Sequence, residues 1–105
     1  MKEMLEAVRK FHEKHDFKNN GGENMLYRMN IIMEEIGEIC ECLTKGKSRD
    51  QLVEEHADLL ILLLGNCIAL DVKANELEEA FWKKYDVIMK RKAKFVDGII
   101  RVTDG

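Results

Sequence analysis

A chain of 105 residues, 46% apolar, 35% charged and free of proline, has room for one domain built around one modest core. Its net charge of -3 offers no electrostatic footprint for a nucleic-acid polymer, and its longest apolar run, over residues 59–70, is broken by Gly65 and Asn66 and too short to span a bilayer. Three cysteines without zinc spacing and a start, Met1-Lys2-Glu3-Met4, without a long apolar run lead us to expect a soluble, reduced, cytoplasmic protein, a single domain over residues 1–105.

Taken in chain order, Met4, Leu5, Val8, Phe11 and His12 recur at helical spacing and predict a first helix over residues 2–15 with one docking face. Residues 16–22, with Asn19-Asn20-Gly21-Gly22, are a breaker cluster and the expected mobile loop, placed where a lid could sit. A second helix is predicted over residues 23–44, ending where Lys45-Gly46-Lys47 brings a glycine and positive charge. Ser48-x-x-Gln51 has the form of a capping box and opens a third helix that runs to residue 70. The shortness of the connection makes these two helices antiparallel neighbours.

Asp71-Val72-Lys73 is the next turn, and Asn75-x-x-Glu78 is expected to cap a fourth helix over residues 76–95. That helix alternates Leu77, Phe81, Tyr85 and Ile88 with the lysines and arginines of residues 83–94, the cationic concentration of the chain. Phe81 and Trp82 are expected first in a core or an interface. Residues 98–103 are β-prone and either pair or fray. The third helix is apolar on every side over residues 59–64, more than a unit of this size can cover. Self-association is therefore expected, as a homodimer or homotetramer with that helix at its centre.

The chemistry is concentrated in two acidic pairs, Glu35-x-x-Glu38 on the second helix and Glu55-x-x-Asp58 on the third. Residues three apart share a helix face, so each pair aims two carboxylates one way. At about 100° per residue, Glu35 points between Ile31, Ile39 and Cys42, and Glu55 between Leu52, Leu59 and Leu62, whereas Glu34 and Glu41 fall on the polar side. Carboxylates on an apolar stripe must protonate, pair with bases or hold a cation, and no Lys or Arg of these helices is expected within reach. A hard divalent cation such as Mg²⁺, with Mn²⁺ as substitute, fits oxygen donors of this kind and leaves positions for water and phosphate.

The stretch Met33-Glu34-Glu35-Ile36-Gly37-Glu38-Ile39-Cys40-Glu41, followed by Glu54-Glu55-His56-Ala57-Asp58-Leu59-Leu60, resembles the MazG-like all-α nucleoside triphosphate pyrophosphohydrolases, a superfamily that includes the phosphoribosyl-ATP pyrophosphohydrolases. The similarity spans about residues 23–92, within a motif-bearing core of about 23–95. It implies an all-α four-helix bundle that oligomerises, with a short β-prone tail, and cleavage of a nucleotide between the α and β phosphates. It also implies Mg²⁺ on Glu35, Glu38, Glu55 and Asp58. Lys84 and Arg91 fit the spacing of the family's phosphate-contacting residues along the last helix, while Ile88 stands where that pattern has Asn.

On this reading Glu38, at the edge of the stripe, is the candidate general base, and Lys84 and Arg91 stabilise the departing pyrophosphate. Phe11 and Phe17 are candidates for closing over a base, with core packing as the competing role. His12, His15 and His56 have no metal spacing and are read as incidental. The alternatives are a phosphoribosyl-ATP pyrophosphohydrolase and a non-catalytic helical dimer whose buried acids bind a cation.

Overall fold

A computed structural model describes residues 1–103. The fold is all-α with a short β-hairpin at its C-terminal end, as the sequence predicts. Four α-helices are present, α1 (Lys2–Lys14), α2 (Met25–Thr44), α3 (Arg49–Ala69) and α4 (Ala74–Lys90), followed by strands β1 (Lys92–Val96) and β2 (Ile99–Thr103). Contacts divide the chain into two compact units, Met1–Lys73 and the remainder from Ala74. Among the described residues, no helix is long and apolar enough to cross a membrane.

In the first unit α3 is the common partner, packing on α2 along one side and on α1 along another. The core follows from the helical periods: Leu5 and Val8 from α1, Ile32 and Cys42 from α2, Leu64 and Ile68 from α3 are all buried. Cys42 packs as a small apolar residue, whereas Cys40, two positions earlier, is exposed.

The α2–α3 connection is fixed at both ends. Gly46 takes the left-handed conformation at φ 62°, its N–H donates to Leu43 O at 3.2 Å, and the Lys47 N–H donates to Cys42 O at 3.0 Å. These two bonds close a Schellman turn on the orphan carbonyls of α2. One residue later Ser48 caps α3, accepting from the Gln51 N–H at 3.2 Å while Gln51 Oε1 accepts from the Ser48 N–H at 3.1 Å.

Residues 16–22, where a mobile loop is expected, carry hydrogen bonds of their own. Phe17–Asn19 form one 3-10 turn, the Gly22 N–H donates to Phe17 O at 2.8 Å, and Asn20 Nδ2 donates to Asp16 O at 2.8 Å. A Cβ on Gly22 would stand 2.5 Å from the Phe17 ring, so glycine is what lets the loop close on that ring.

The second unit corrects two sequence expectations. α4 begins at Ala74, which puts Asn75 inside the helix rather than at its cap, and it ends at Lys90, so Lys92 and Lys94 lie on β1 instead of a helix. β1 pairs antiparallel with β2 in register Val96↔Ile99, leaving Asp97-Gly98 as a two-residue loop. Both loop residues have positive φ, 54° and 79°, the demand of the turn type whose twist matches a hairpin. The β-prone tail thus pairs with the segment read as the end of the fourth helix, because a strong turn dipeptide outweighs a helical charge pattern over so few residues. On α4, Trp82 stacks edge-on against Phe81 and Tyr85 at centroid distances of 5.1 and 5.5 Å, and all three are exposed.

Candidate functional site

α2 and α3 face each other along a line that starts at Arg28 and runs through Ile32 and Glu35 to Cys42, opposite Leu52, Glu55, Leu62 and Asn66. The spacing that builds the core therefore also carries charged groups into it. Two different arrangements result.

Near the start of α2, Arg28 is buried, with 4% of its surface accessible. Its guanidinium donates from Nε to Asn66 Oδ1, and from its two terminal nitrogens to Gly22 O and Leu62 O, each at 2.9 Å. Burial pushes the pKa of this group down, with Glu23 and then Tyr27 opposing. His12 is buried beside it, and its Nδ1–H donates to Glu23 Oε2 at 3.0 Å. The histidine read as incidental is thus part of the packing between α1, α2 and α3. Gly65 leaves the room: a Cβ there would fall within contact of the Arg28 guanidinium and 2.9 Å from His12 Nε2.

Two turns further along α2, Glu35 meets Glu55 and Asp58. One carboxylate oxygen from each of the three lies within 4.8 Å of the others. Glu35 Oε1 and Glu55 Oε2 are shielded from solvent and have no hydrogen-bond partner among the described residues, although the rest of each side chain is only half-buried. Burial, then a hydrogen bond to Glu55, then the negative charges of Glu38, Glu55 and Asp58 raise the Glu35 pKa to about 7. That bond and the unpartnered oxygens describe two protonation states. With both carboxylates ionised neither can donate, and with one proton they share it.

Of the four acids singled out from the sequence, Glu35, Glu55 and Asp58 converge. Glu38 is exposed and lines an adjoining cavity of about 350 Å³ with Glu41, Cys42, Lys47, Gln51, Glu54 and Glu55. Glu34, on the polar side of α2, is exposed as expected. The sequence reading missed Lys47, a cation on the wall of this cavity, because its spacing assigns it to the end of α2. Its backbone is held by the Schellman turn on one side and the Ser48 cap on the other. Lys45 donates to Glu41 Oε1, on the same wall, at 2.6 Å and holds that carboxyl below its usual range.

The donor set suits a hard cation. Three carboxylate oxygens that approach within a few ångströms, on side chains of which two also carry a buried oxygen without a donor, are what an ion with ligands at about 2.1 Å takes up. Lys84 lies on α4 and Arg91 directly follows that helix, both in the second unit. Phe17 is packed in a ring cluster, 4.7 Å from His12 and 5.2 Å from Phe11. Phe11 also lines an apolar groove of about 430 Å³ between α1 and α3, with Met4, Leu60 and Ile61 among its walls.

A family model described as phosphoribosyl-ATP pyrophosphohydrolase matches residues 1–84. The comparisons with curated proteins and with solved structures gave no match.

Proposed function

The chain belongs to the phosphoribosyl-ATP pyrophosphohydrolase family, and from that premise and its converging acids we propose that it hydrolyses the triphosphate chain of a nucleotide between the α and β phosphates. The products are pyrophosphate and a nucleoside monophosphate moiety. The family match favours phosphoribosyl-ATP as substrate. A free (deoxy)nucleoside triphosphate presents the same chain and fits the paired acidic motif equally.

The observation that carries this reading is the pair of buried, unpartnered oxygens on Glu35 and Glu55. Orphaned buried acceptors cost stability and persist where a ligand satisfies them. Glu35, Glu55 and Asp58, with Glu38 beside them, would hold Mg²⁺, or Mn²⁺ in its place. When bound, such a cation polarises phosphoryl oxygens and lowers the pKa of a coordinated water.

The chain's own groups do the rest. Glu38, exposed at the cavity and outside the converging trio, accepts the proton of the attacking water as the oxygen–phosphorus bond forms and the bridging bond to pyrophosphate breaks. Lys47, on the wall of the same cavity, is the cation we assign to the phosphates, where it offsets charge on the leaving group. Of the two aromatic candidates for the base, Phe11 keeps 44% of its surface accessible and is the one carried forward.

The test is pyrophosphate release from phosphoribosyl-ATP and from a panel of dNTPs with Mg²⁺, for the wild type and Glu35→Gln. Release by the wild type alone supports the proposal, and the preferred substrate chooses between its two forms. No turnover of any nucleotide by a folded protein that still binds Mg²⁺ overturns it in favour of a non-catalytic cation-binding protein.

A further inference from the structure

Strands β1 and β2 lie beyond the residues that the family model matches, and the hydrolytic reading gives them no role. Side chains alternate across a strand and cross-strand partners share a face, so the register sorts this ribbon into two faces. Ala93, Phe95, Ile100 and Val102 make one, wholly apolar. Lys92, Lys94, Arg101 and Thr103 make the other, with Val96 and Ile99 next to the turn. All of them except Thr103 are exposed, Phe95 to 73%, so nothing in the second unit covers either face.

The edges are open as well. In a hairpin closed by a two-residue loop, the pair flanking the loop, here Val96 and Ile99, exchanges both of its hydrogen bonds, and bonded and unbonded pairs alternate from there. Lys94 with Arg101 and Lys92 with Thr103 are then the other bonded pairs. The main-chain N–H and C=O of Ala93 and Phe95 therefore point out of the β1 edge, and those of Ile100 and Val102 out of the β2 edge. The sheet has two strands, short of the roughly three that hold an apolar face together in water.

The occupant follows from what each candidate would satisfy. A nucleic-acid strand meets Lys92, Lys94 and Arg101 but leaves the apolar face and both edges as they are. A lipid surface takes the apolar face but not the edge N–H and C=O groups, which hydrocarbon cannot satisfy. A second hairpin pairs an edge yet sets lysines beside lysines on one face, the device by which exposed edges refuse their own kind. An extended peptide that alternates apolar and acidic residues answers all three demands. Its main chain takes up an edge, its apolar side chains extend the apolar face, and its carboxylates fall beside the cations. β1 presents two cations at alternate positions, Lys92 and Lys94, where β2 presents Arg101 alone, so charge selects the β1 edge.

We propose that the C-terminal hairpin is a docking site for a partner protein, whose extended segment of alternating acidic and apolar residues adds to the β1 edge as a third strand. Opposite Ala93 and Phe95 the added strand places apolar side chains, and opposite Lys92 and Lys94 it places carboxylates. The same lysines that repel another copy attract this partner, so one feature supplies both the attraction and the exclusion. The proposal is independent of the hydrolytic reading, because it concerns residues 92–103 alone and its readout is peptide binding.

Titrating a short fluorescein-labelled peptide that alternates glutamate with valine with the full chain is expected to give a saturable rise in anisotropy. A peptide of the same composition with glutamates and valines in separate blocks is expected to bind about tenfold more weakly. Lys92→Glu combined with Lys94→Glu is expected to lose the glutamate peptide and to gain one with lysine in its place. Ala93→Pro removes an edge N–H that the hairpin itself does not use, and is expected to abolish binding while the hairpin's amide signals in NMR spectra persist. No binding of the alternating peptide, equal binding of the block peptide, or binding that survives either the double charge reversal or Ala93→Pro overturns the proposal. Uptake of an oligothymidine or of phosphatidylserine vesicles that exceeds peptide binding and is lost with the charge reversal, or a doubling of mass that Ala93→Pro removes, overturns it in favour of that occupant.

Discussion

Arg28 and Glu35 stand two turns apart on the same face of α2, both turned toward α3, and the structure treats them oppositely. Around Arg28 three acceptors at 2.9 Å take up the guanidinium, and glycine at position 65 makes the space. Around Glu35 stand two further carboxylates, and Glu35 and Glu55 each keep a buried oxygen without a partner among the described residues. A buried charge that donates a hydrogen bond from each of its nitrogens holds the fold together. One whose bonds are left open costs stability and is kept for something that binds.

The largest effect expected from breaking this contrast is on catalysis. Glu35→Gln removes the charge with little change of shape and is expected to lower Mg²⁺-dependent pyrophosphate release by about a hundredfold or more, as measured by phosphate-coupled assay, while the fold survives. An unchanged rate would remove Glu35 from the site. Arg28→Ala should do the reverse. It leaves Asn66, Gly22 and Leu62 acceptors without their donor and is expected to cost about 3 kcal/mol in urea unfolding. A loss within experimental error would make the Arg28 network incidental.

Gly65→Ala tests the same network more gently. The added Cβ must displace the guanidinium, at an expected cost of about 1–3 kcal/mol by the same measurement, and combining it with Arg28→Ala should be less than additive. The acid side is sharpened by pH. Because the Glu35 pKa is raised in the fold, from 4.5 to about 7, the folded protein binds more protons than the unfolded chain between those values. The metal-free protein should therefore lose stability as pH rises through that window, and the loss should be complete above about 7. Glu35→Gln should flatten this slope, and Mg²⁺ should restore stability at high pH. A flat profile in the wild type would mean that the acids do not interact. The smallest effect is expected for Glu34→Gln, on the exposed side of the same helix: a change of less than about 0.5 kcal/mol and an activity near that of wild type.

Much of this was legible without coordinates. The wheel positions of Glu35 and Glu55 against apolar neighbours, the exposed side for Glu34, and the Ser48 cap at the end of a short connection are all local or periodic features, and the structure has each of them. Arg28 was not legible as a partner of Asn66 and Leu62, because those acceptors lie 38 and 34 residues away and one is a main-chain carbonyl with no sequence signature. His12 was misread for a similar reason: its partner Glu23 comes from beyond a loop that sequence composition describes only as a run of breakers. Asp97-Gly98 was a readable turn signal, yet the positive charges around it favoured a longer helix.

Sequence by itself determined the all-α class, the four helices, and the two acidic pairs, because helical period, caps and turn residues act over three or four positions. Tertiary structure alone decided which acids converge, that Glu38 stands apart at an adjoining cavity, that Lys47 reaches its wall, and that one buried charge is satisfied while another is not. Those outcomes depend on where α2, α3, the turn that joins them and, for Arg28, the loop before α2 meet in space, and pairing across such distances leaves no periodic trace in the chain.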